Sequence, residues 1–228
     1  MSQANLRQRR GDMAAKRDYG QFCGLAGGLN VVGERWTLLV VRELLIGPAR
    51  FNDMMDNLAG IGPNLLADRL RTLVTHGVVE QAAVPGDGRG KLYRLTALGE
   101  ELREPVLGLA KWGMGFLGDA GTGVVRAEWG FLAVQSMIVR DRVPAVDEVY
   151  QFDVGEEVFT IEVRAGQVTF SRAAAEAPTL RITCEPDTFI RIGARMLTPF
   201  DAIVTGAVKI EGPNEAIHRC TRLLGLVD

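Results

Sequence analysis

Apolar residues recur at helical spacing around Trp36, again at Phe51, Met54, Met55 and Leu58, and again at Leu65, Leu66, Leu70, Leu73 and Val74. Three amphipathic helices in close succession follow from that periodicity. The third runs from about Asn64 to His76: Pro63 suits a first helical turn, whose N–H groups lack partners anyway, and Gly77 suits a left-handed stop. The second spans roughly Phe51 to Leu58, and the link Ala59-Gly60-Ile61-Gly62 is turn-like. The pattern then changes to two apolar strands, Val78 to Val84 and Lys91 to Leu95, flanking the turn residues Pro85 to Gly90. Thr96 reads as the N-cap of a further helix that reaches Leu117 through Trp112.

Helix, helix, turn, helix and hairpin in this order are the skeleton of a winged helix-turn-helix, which points to double-stranded DNA as partner. A recognition helix in the major groove presents its N-terminal residues to base edges, here Asn64, Asp68 and Arg69 just after Pro63. Asn pairs bidentately with adenine and Arg with guanine, each worth ~1 to 3 kcal/mol of discrimination, so Asn64 and Arg69 are the base-contact candidates. Arg50, Asn52, Arg71, Arg89 and Lys91 are better placed for the phosphate backbone, the last two at the wing. The alternative for Arg69 and Arg71 is an ion pair with Asp68 or Glu80.

Several co-ordered motifs carry a family resemblance. Val32-Gly33-Glu34-Arg35-Trp36-Thr37-Leu38-Leu39-Val40-Val41-Arg42-Glu43-Leu44, the pair Arg50-Phe51, Gly60-Ile61-Gly62-Pro63-Asn64, and Tyr93-Arg94-Leu95-Thr96-Ala97-Leu98-Gly99 together resemble the HxlR-type winged-helix transcriptional regulators. The likeness covers about residues 20–118. It implies a dimer that binds inverted repeats in bacterial promoters. Two departures stand out: Gly24 follows Cys23 where proline is common, and Gly62-Pro63-Asn64 replaces a serine-containing start of the recognition helix.

Gly118 to Gly123 is glycine-rich and separates two helical patterns, which makes residues 119–123 a linker. Beyond it, a helix from Arg126 to Val139 precedes strand-like alternation at Glu148–Val154, Val158–Arg164, Gln167–Phe170 and Leu180–Cys184. Helices follow near Pro186–Arg191 and Pro199–Thr205, then a strand Ala207–Glu211 and a last helix from Pro213 through Leu224. The consistent solution is α+β, a mixed sheet with helices on one face. This order and the segment Gly206 to Gly212 resemble the sterol carrier protein fold over about residues 124–228. That resemblance implies an apolar tunnel and a hydrophobic small-molecule effector. Its candidate lining is Trp129, Phe131, Met137, Phe152, Phe159, Phe170, Phe189, Met196, Leu197, Phe200 and Ile203. The same residues also serve as ordinary core, and only a cavity of some hundreds of Å³ favours a ligand site (~300 to 1,000 Å³ is typical).

Composition fits two domains: 228 residues with 47% hydrophobic content supply two cores. Net charge is -2, but 15 Lys and Arg against 12 Asp and Glu through residue 118 give +3, and 11 against 16 beyond it give -5. Contact with DNA is therefore expected from the first half. Residues 1–19 form a basic arm with Arg7, Arg9, Arg10, Lys16 and Arg17, read either as a solvated tail or as a DNA-contacting arm. No apolar run approaches a membrane span and no signal-peptide core follows the arm, so a cytosolic protein is expected. Cys23, Cys184 and Cys220 are odd in number and unpaired in spacing, which predicts neither a disulfide framework nor a metal site. Some regulators that this chain resembles sense oxidants or electrophiles through a cysteine near the first helix, so the resemblance implies a redox-sensing alternative for Cys23 beside its reading as a small core residue. No nucleophile elbow or phosphate loop is present, so neither enzyme activity nor a cofactor is expected. Surplus apolar residues in Val106 to Leu117 and Phe22 to Val32 point to a homodimer, with packing inside one chain as the alternative. The resulting expectation is a one-component repressor modulated by a hydrophobic effector, with a lipid carrier as the competing class.

Overall fold

A computed structural model describes residues 18–84, 87–118 and 123–227, with no side chains described from residue 84 to residue 89. Residues 1–17 of the basic arm, the 85–86 wing tip, the Arg89 side chain and linker residues 119–122 lie outside the described residues. The chain forms two compact units, one ending at Arg103 and the other starting at Glu104. That division falls ahead of the glycine-rich segment where the sequence places the boundary.

The first unit contains α1 (Gly24–Val32), α2 (Thr37–Ile46), β1 (Ala49–Arg50), α3 (Phe51–Asn57), α4 (Pro63–Thr75), β2 (Val79–Val84), β3 (Asp87–Leu95) and α5 (Ala97–Glu100). Its core is the apolar stripe of α2 (Val40, Val41, Leu44, Leu45) against Met54 of α3 and Leu66, Leu70 and Leu73 of α4. Each such side chain contributes ~1.5 to 3 kcal/mol through burial. Helix α4 begins with Pro63 in its first turn and ends in a Schellman motif. Gly77 takes φ 71°, its N–H donates to the Val74 carbonyl at 3.0 Å, and the Val78 N–H donates to the Leu73 carbonyl at 2.9 Å.

Strands β2 and β3 form the wing, and the two-residue β1, which periodicity does not reveal, completes a sheet of order β1-β3-β2 through Ala49↔Tyr93 and Arg50↔Leu92. Thr96 caps α5 by accepting from the Gly99 N–H at 3.1 Å, and its hydroxyl donates to the Gly77 carbonyl at 2.6 Å. One side chain thus ties the base of the wing to the end of α4. The single helix expected from Thr96 to Leu117 is instead α5, then α6 (Arg103–Gly113), then a 3₁₀ turn at Met114–Phe116. Pro105 is the physical reason: it has no N–H to donate back to Glu101, which is tolerated only in a first turn, so the helix restarts at Arg103.

The second unit continues with α7 (Glu128–Met137), a 3₁₀ turn at Arg140–Arg142, β4 (Glu148–Val154), β5 (Glu157–Arg164), β6 (Gln167–Ser171), β7 (Leu180–Cys184), α8 (Pro186–Gly193), α9 (Pro199–Val204), β8 (Val208–Glu211) and α10 (Asn214–Leu223). The sheet order is β6-β5-β4-β7-β8, parallel only between β4 and β7, which makes it the mixed sheet of an α+β domain. Ala165 (φ 48°) and Gly166 (φ 74°) turn β5 into β6 with the left-handed pair that a tight hairpin favours. One face of β4 and β5 carries Phe152 stacked on Phe159 with ring centroids 5.4 Å apart. Phe131 of α7 meets the Phe159 ring edge-on, and Phe189 of α8 meets both rings edge-on. Helices therefore cover that face.

Candidate nucleic-acid interface

Helix α4 buries Leu66, Leu70 and Leu73 and leaves Pro63, Asn64, Asp68, Arg71 and Thr75 exposed. Asn64, Asp68 and Arg71 follow i, i+4, i+7 spacing and share one exposed face. Asp68 is held there between two guanidinium groups, accepting from Arg69 Nη1 at 2.7 Å and from Arg71 Nη1 at 3.3 Å. Its charge is thereby compensated within the helix, which reduces the repulsion that a bare carboxylate would exert on phosphate.

Arg69 takes the ion-pair alternative and not the base contact. Its side chain is only 9% exposed and is fully engaged: Nε donates to the Arg35 carbonyl at 3.0 Å, Nη1 to Asp68, and Nη2 to Glu34 at 3.2 Å. A guanidinium spent on an inward carbonyl and two carboxylates is not available for a guanine edge. The signal was present in the spacing, because Leu66, Arg69, Leu70 and Leu73 themselves obey i, i+3, i+4, i+7 and place Arg69 within the buried stripe. Arg69 fixes α4 against the Glu34–Trp36 turn instead.

The remaining candidates sit on other elements of the same unit. Arg50 is exposed at the start of α3, where its backbone N–H donates to the Asp53 carboxylate at 3.0 Å, and Asn52 is exposed one residue into that helix. Lys91 is exposed on β3, paired in register with Ala83. Arg94, also on the wing, bridges to Glu80 across the strands at 2.7 Å.

In the second unit, alternate residues of neighbouring strands line up across the sheet: Phe152 of β4 with Ile182 of β7, and Ile182 with Ile210 of β8. They border an apolar cavity of ≈ 60 Å³, lined also by Met137, Phe189, Ile203 of α9, Cys220 of α10 and Leu224 just after it. Met137, Phe152, Phe189 and Ile203 are thus at the cavity as expected. Trp129, Phe131, Phe159, Phe170, Met196, Leu197 and Phe200 are not among its lining residues. Phe159 is completely buried in the aromatic cluster, and Phe200 is 73% exposed because its position on α9 turns it outward. The volume also falls short of the several hundred Å³ expected of a lipid tunnel. Alternation along β7 (Leu180, Ile182, Cys184) was the overlooked signal, since a pleated strand puts every second residue on one face. Burial pushes the Cys184 thiol up to about 11 and the Cys220 thiol higher still, so both are neutral thiols at pH 7. Cys23, by contrast, is exposed ahead of α1, and the backbone N–H groups of Ala26 and Leu25 hold its thiol below its ordinary range. Among the described residues, no cluster of three His, Cys, Asp or Glu could hold a metal ion, and no helix is long and apolar enough to cross a membrane.

Comparison with known proteins matches two family models to successive parts of the chain. The HxlR-like helix-turn-helix family model matches residues 31–120, and the SCP-2 sterol transfer family model matches residues 131–225. An HTH-type transcriptional regulator of Mycobacterium bovis is 40% identical over 89 residues, which are 39% of this chain and 56% of that relative. The chain thus spans little more than half the length of that relative. The HTH-type transcriptional regulator YtfH of Escherichia coli is 32% identical over 114 residues, covering 49% of this chain and 86% of YtfH. The solved reduced form of YodB from Bacillus subtilis is 27% identical, with a TM-score of 0.38 over 43% of this chain and 100% of YodB. On the family match over its first half and the extent of YtfH that it covers, the chain belongs to the HxlR-like helix-turn-helix family.

Proposed function

We propose that the protein is a DNA-binding transcriptional regulator, a homodimeric one-component repressor that reads a promoter inverted repeat with α4 in the major groove. The carrying observation is the exposed row Asn64, Asp68 and Arg71 on a helix whose opposite face is fixed by Leu66, Arg69, Leu70 and Leu73. A rigid rod with a polar outer face and its N-terminal end open to solvent suits a groove. Asn64 is the base-reading residue, Pro63 sets the start of the helix, and Arg50, Asn52, Arg71, Arg89 and Lys91 are assigned to phosphates. Two apolar stripes support a second copy as partner: Phe22, Leu25 and Leu29 on and just before α1, and Leu109, Trp112 and Phe116 on α6 and the turn after it, all exposed. Their i, i+3, i+7 spacing is that of a helix packing seam.

The second unit is assigned to an apolar effector. Its support is the SCP-2 match and the wholly nonpolar border of the cavity, whose present size requires α9 or a neighbour to yield before a lipid-sized molecule enters. Selection of duplexes from a random-sequence pool by the full-length protein, followed by affinity measurement with and without co-purified hydrophobic compounds, tests both halves. Enrichment of a palindromic site bound by two copies is expected. Failure to enrich any sequence, alongside hydrophobic-ligand binding, would establish the carrier class in its place. A second reading rests on the exposed Cys23 with its depressed thiol, which equips the regulator to respond to oxidants or electrophiles.

A further inference from the structure

The turn Glu34-Arg35-Trp36 meets the recognition helix at one point and the link leading into it at another. The Trp36 ring lies 3.7 Å from where a Cβ on Gly60 would stand, in the link leading into α4, and Arg69 within α4 donates to the Arg35 carbonyl at 3.0 Å. The turn therefore runs alongside the first two turns of α4, the part that a groove would receive. Trp36 holds φ 78°, a left-handed backbone that a bulky residue adopts only under constraint, and the Arg69 bonds supply that constraint. Its effect is to present Arg35. That side chain is exposed, with its guanidinium carbon 5.6 Å from the centroid of the Trp36 ring. The nearby carboxylates Glu34 and Asp68 are both bonded to Arg69, and among the described residues no ion pair involves Arg35.

We propose that Arg35 is a DNA-phosphate contact, stacked on Trp36 and set beside the recognition helix by Arg69. The proposal rests on the regulator reading above and extends it to a residue outside the helix and the wing. An arginine laid on an aromatic face keeps its edge N–H groups directed outward and loses little further freedom on binding a phosphate. Such a contact fixes the position of the helix without reading sequence.

Each phosphate contact contributes a slope of ~0.9 to the dependence of log affinity on log salt. Fluorescence anisotropy on a duplex selected by the wild-type protein, between 50 and 200 mM KCl, is the test. Two Arg35 contacts in a dimer predict that the wild type loses roughly tenfold more affinity across that range than Arg35→Ala does. Arg35→Lys should recover the slope in part, and Arg222→Ala, on an exposed face of the second unit, should leave it unchanged. The order of base preference should be the same in all variants, and the thermal midpoint of Arg35→Ala should match the wild type. A wild-type slope and affinity in Arg35→Ala would overturn the contact while leaving the regulator reading intact. Absence of duplex binding by the wild type would overturn both.

Discussion

Arg219 of α10 grips the Glu148 carboxylate at the start of β4 with two hydrogen bonds, 2.9 Å from Nε and 2.6 Å from Nη2, and the Tyr150 hydroxyl donates a third. These bonds tie the last helix to the sheet of the second unit. Glu148 is nearly fully buried, and the Arg219 bonds hold its carboxyl below the ordinary value of 4.5. A carboxylate whose pKa is depressed by folding contributes stability above its unfolded pKa and loses it as pH falls through the folded value. Glu148→Gln should cost about 1 to 3 kcal/mol at pH 7, less than a wholly buried pair because Arg219 is about one-third exposed. Urea denaturation should find that deficit shrinking as pH is lowered from 4.5. A deficit independent of pH would contradict the assignment.

Thr96 joins three segments through one hydroxyl, so its removal should be felt at the wing and at the end of α4 together. Thr96→Ala should destabilise the first unit by ~0.5 to 2 kcal/mol, the usual range for a lost N-cap, and Thr96→Ser should recover most of it. Gly99→Ala should be far worse, because a Cβ there would stand 2.1 Å from the Val78 carbonyl oxygen, and backbone must move to admit it. Thermal denaturation of the three variants gives the ranking directly.

Asn64 and Arg69 separate recognition from scaffolding. Asn64→Ala should relax preference at one base position by ~1 to 3 kcal/mol and leave the fold unaffected. Arg69→Met should instead lower the melting temperature and weaken binding to all sequences alike, since it releases the Glu34–Trp36 turn and uncovers the Asp68 and Glu34 carboxylates. Binding profiles on a panel of single-base operator variants distinguish the two. A selective loss at one base in Arg69→Met would restore that residue to the base-reading set.

Periodicity located nearly every element because each uses one dominant repeat. The strands Glu148–Val154 and Leu180–Cys184 fall at the expected residues, and α4 starts at Pro63 and stops before Gly77 as capping chemistry requires. The failures each have a specific physical cause. Strand β1 is two residues long and exists only through pairing with Tyr93 and Leu92, a non-local contact that no window along the chain reveals. Pro105 breaks a run whose apolar spacing continues through it. At the interface, residue type left Arg69 open between a base contact and an ion pair with Asp68, although its place in the stripe points inward, where the ion pair forms. In the second unit, size was the misleading signal, for Phe159 and Phe200 are equally large and lie at opposite extremes of burial.

The three cysteines should differ sharply in reactivity, and the order follows from where each thiol sits. Cys23 is exposed, and the Ala26 and Leu25 N–H groups stabilise its thiolate. Cys184 and Cys220 border the apolar cavity, where desolvation raises both thiols, the former to about 11. Because the thiolate is the attacking species, a disulfide reagent at pH 7 should modify Cys23 alone in the folded protein and all three after denaturation. The labelling rate of Cys23 should titrate with a midpoint below its ordinary value of 9.0. Cys23→Ser should abolish the fast phase without shifting the melting temperature, since the side chain is exposed and a serine hydroxyl can accept from the same N–H groups. If the fast phase survives in Cys23→Ser, or titrates at or above 9.0, the thiol has no special environment and the redox reading loses its chemical basis. If oxidation of Cys23 also changes operator affinity, and the change disappears in Cys23→Ser, the thiol is a control point of the regulator.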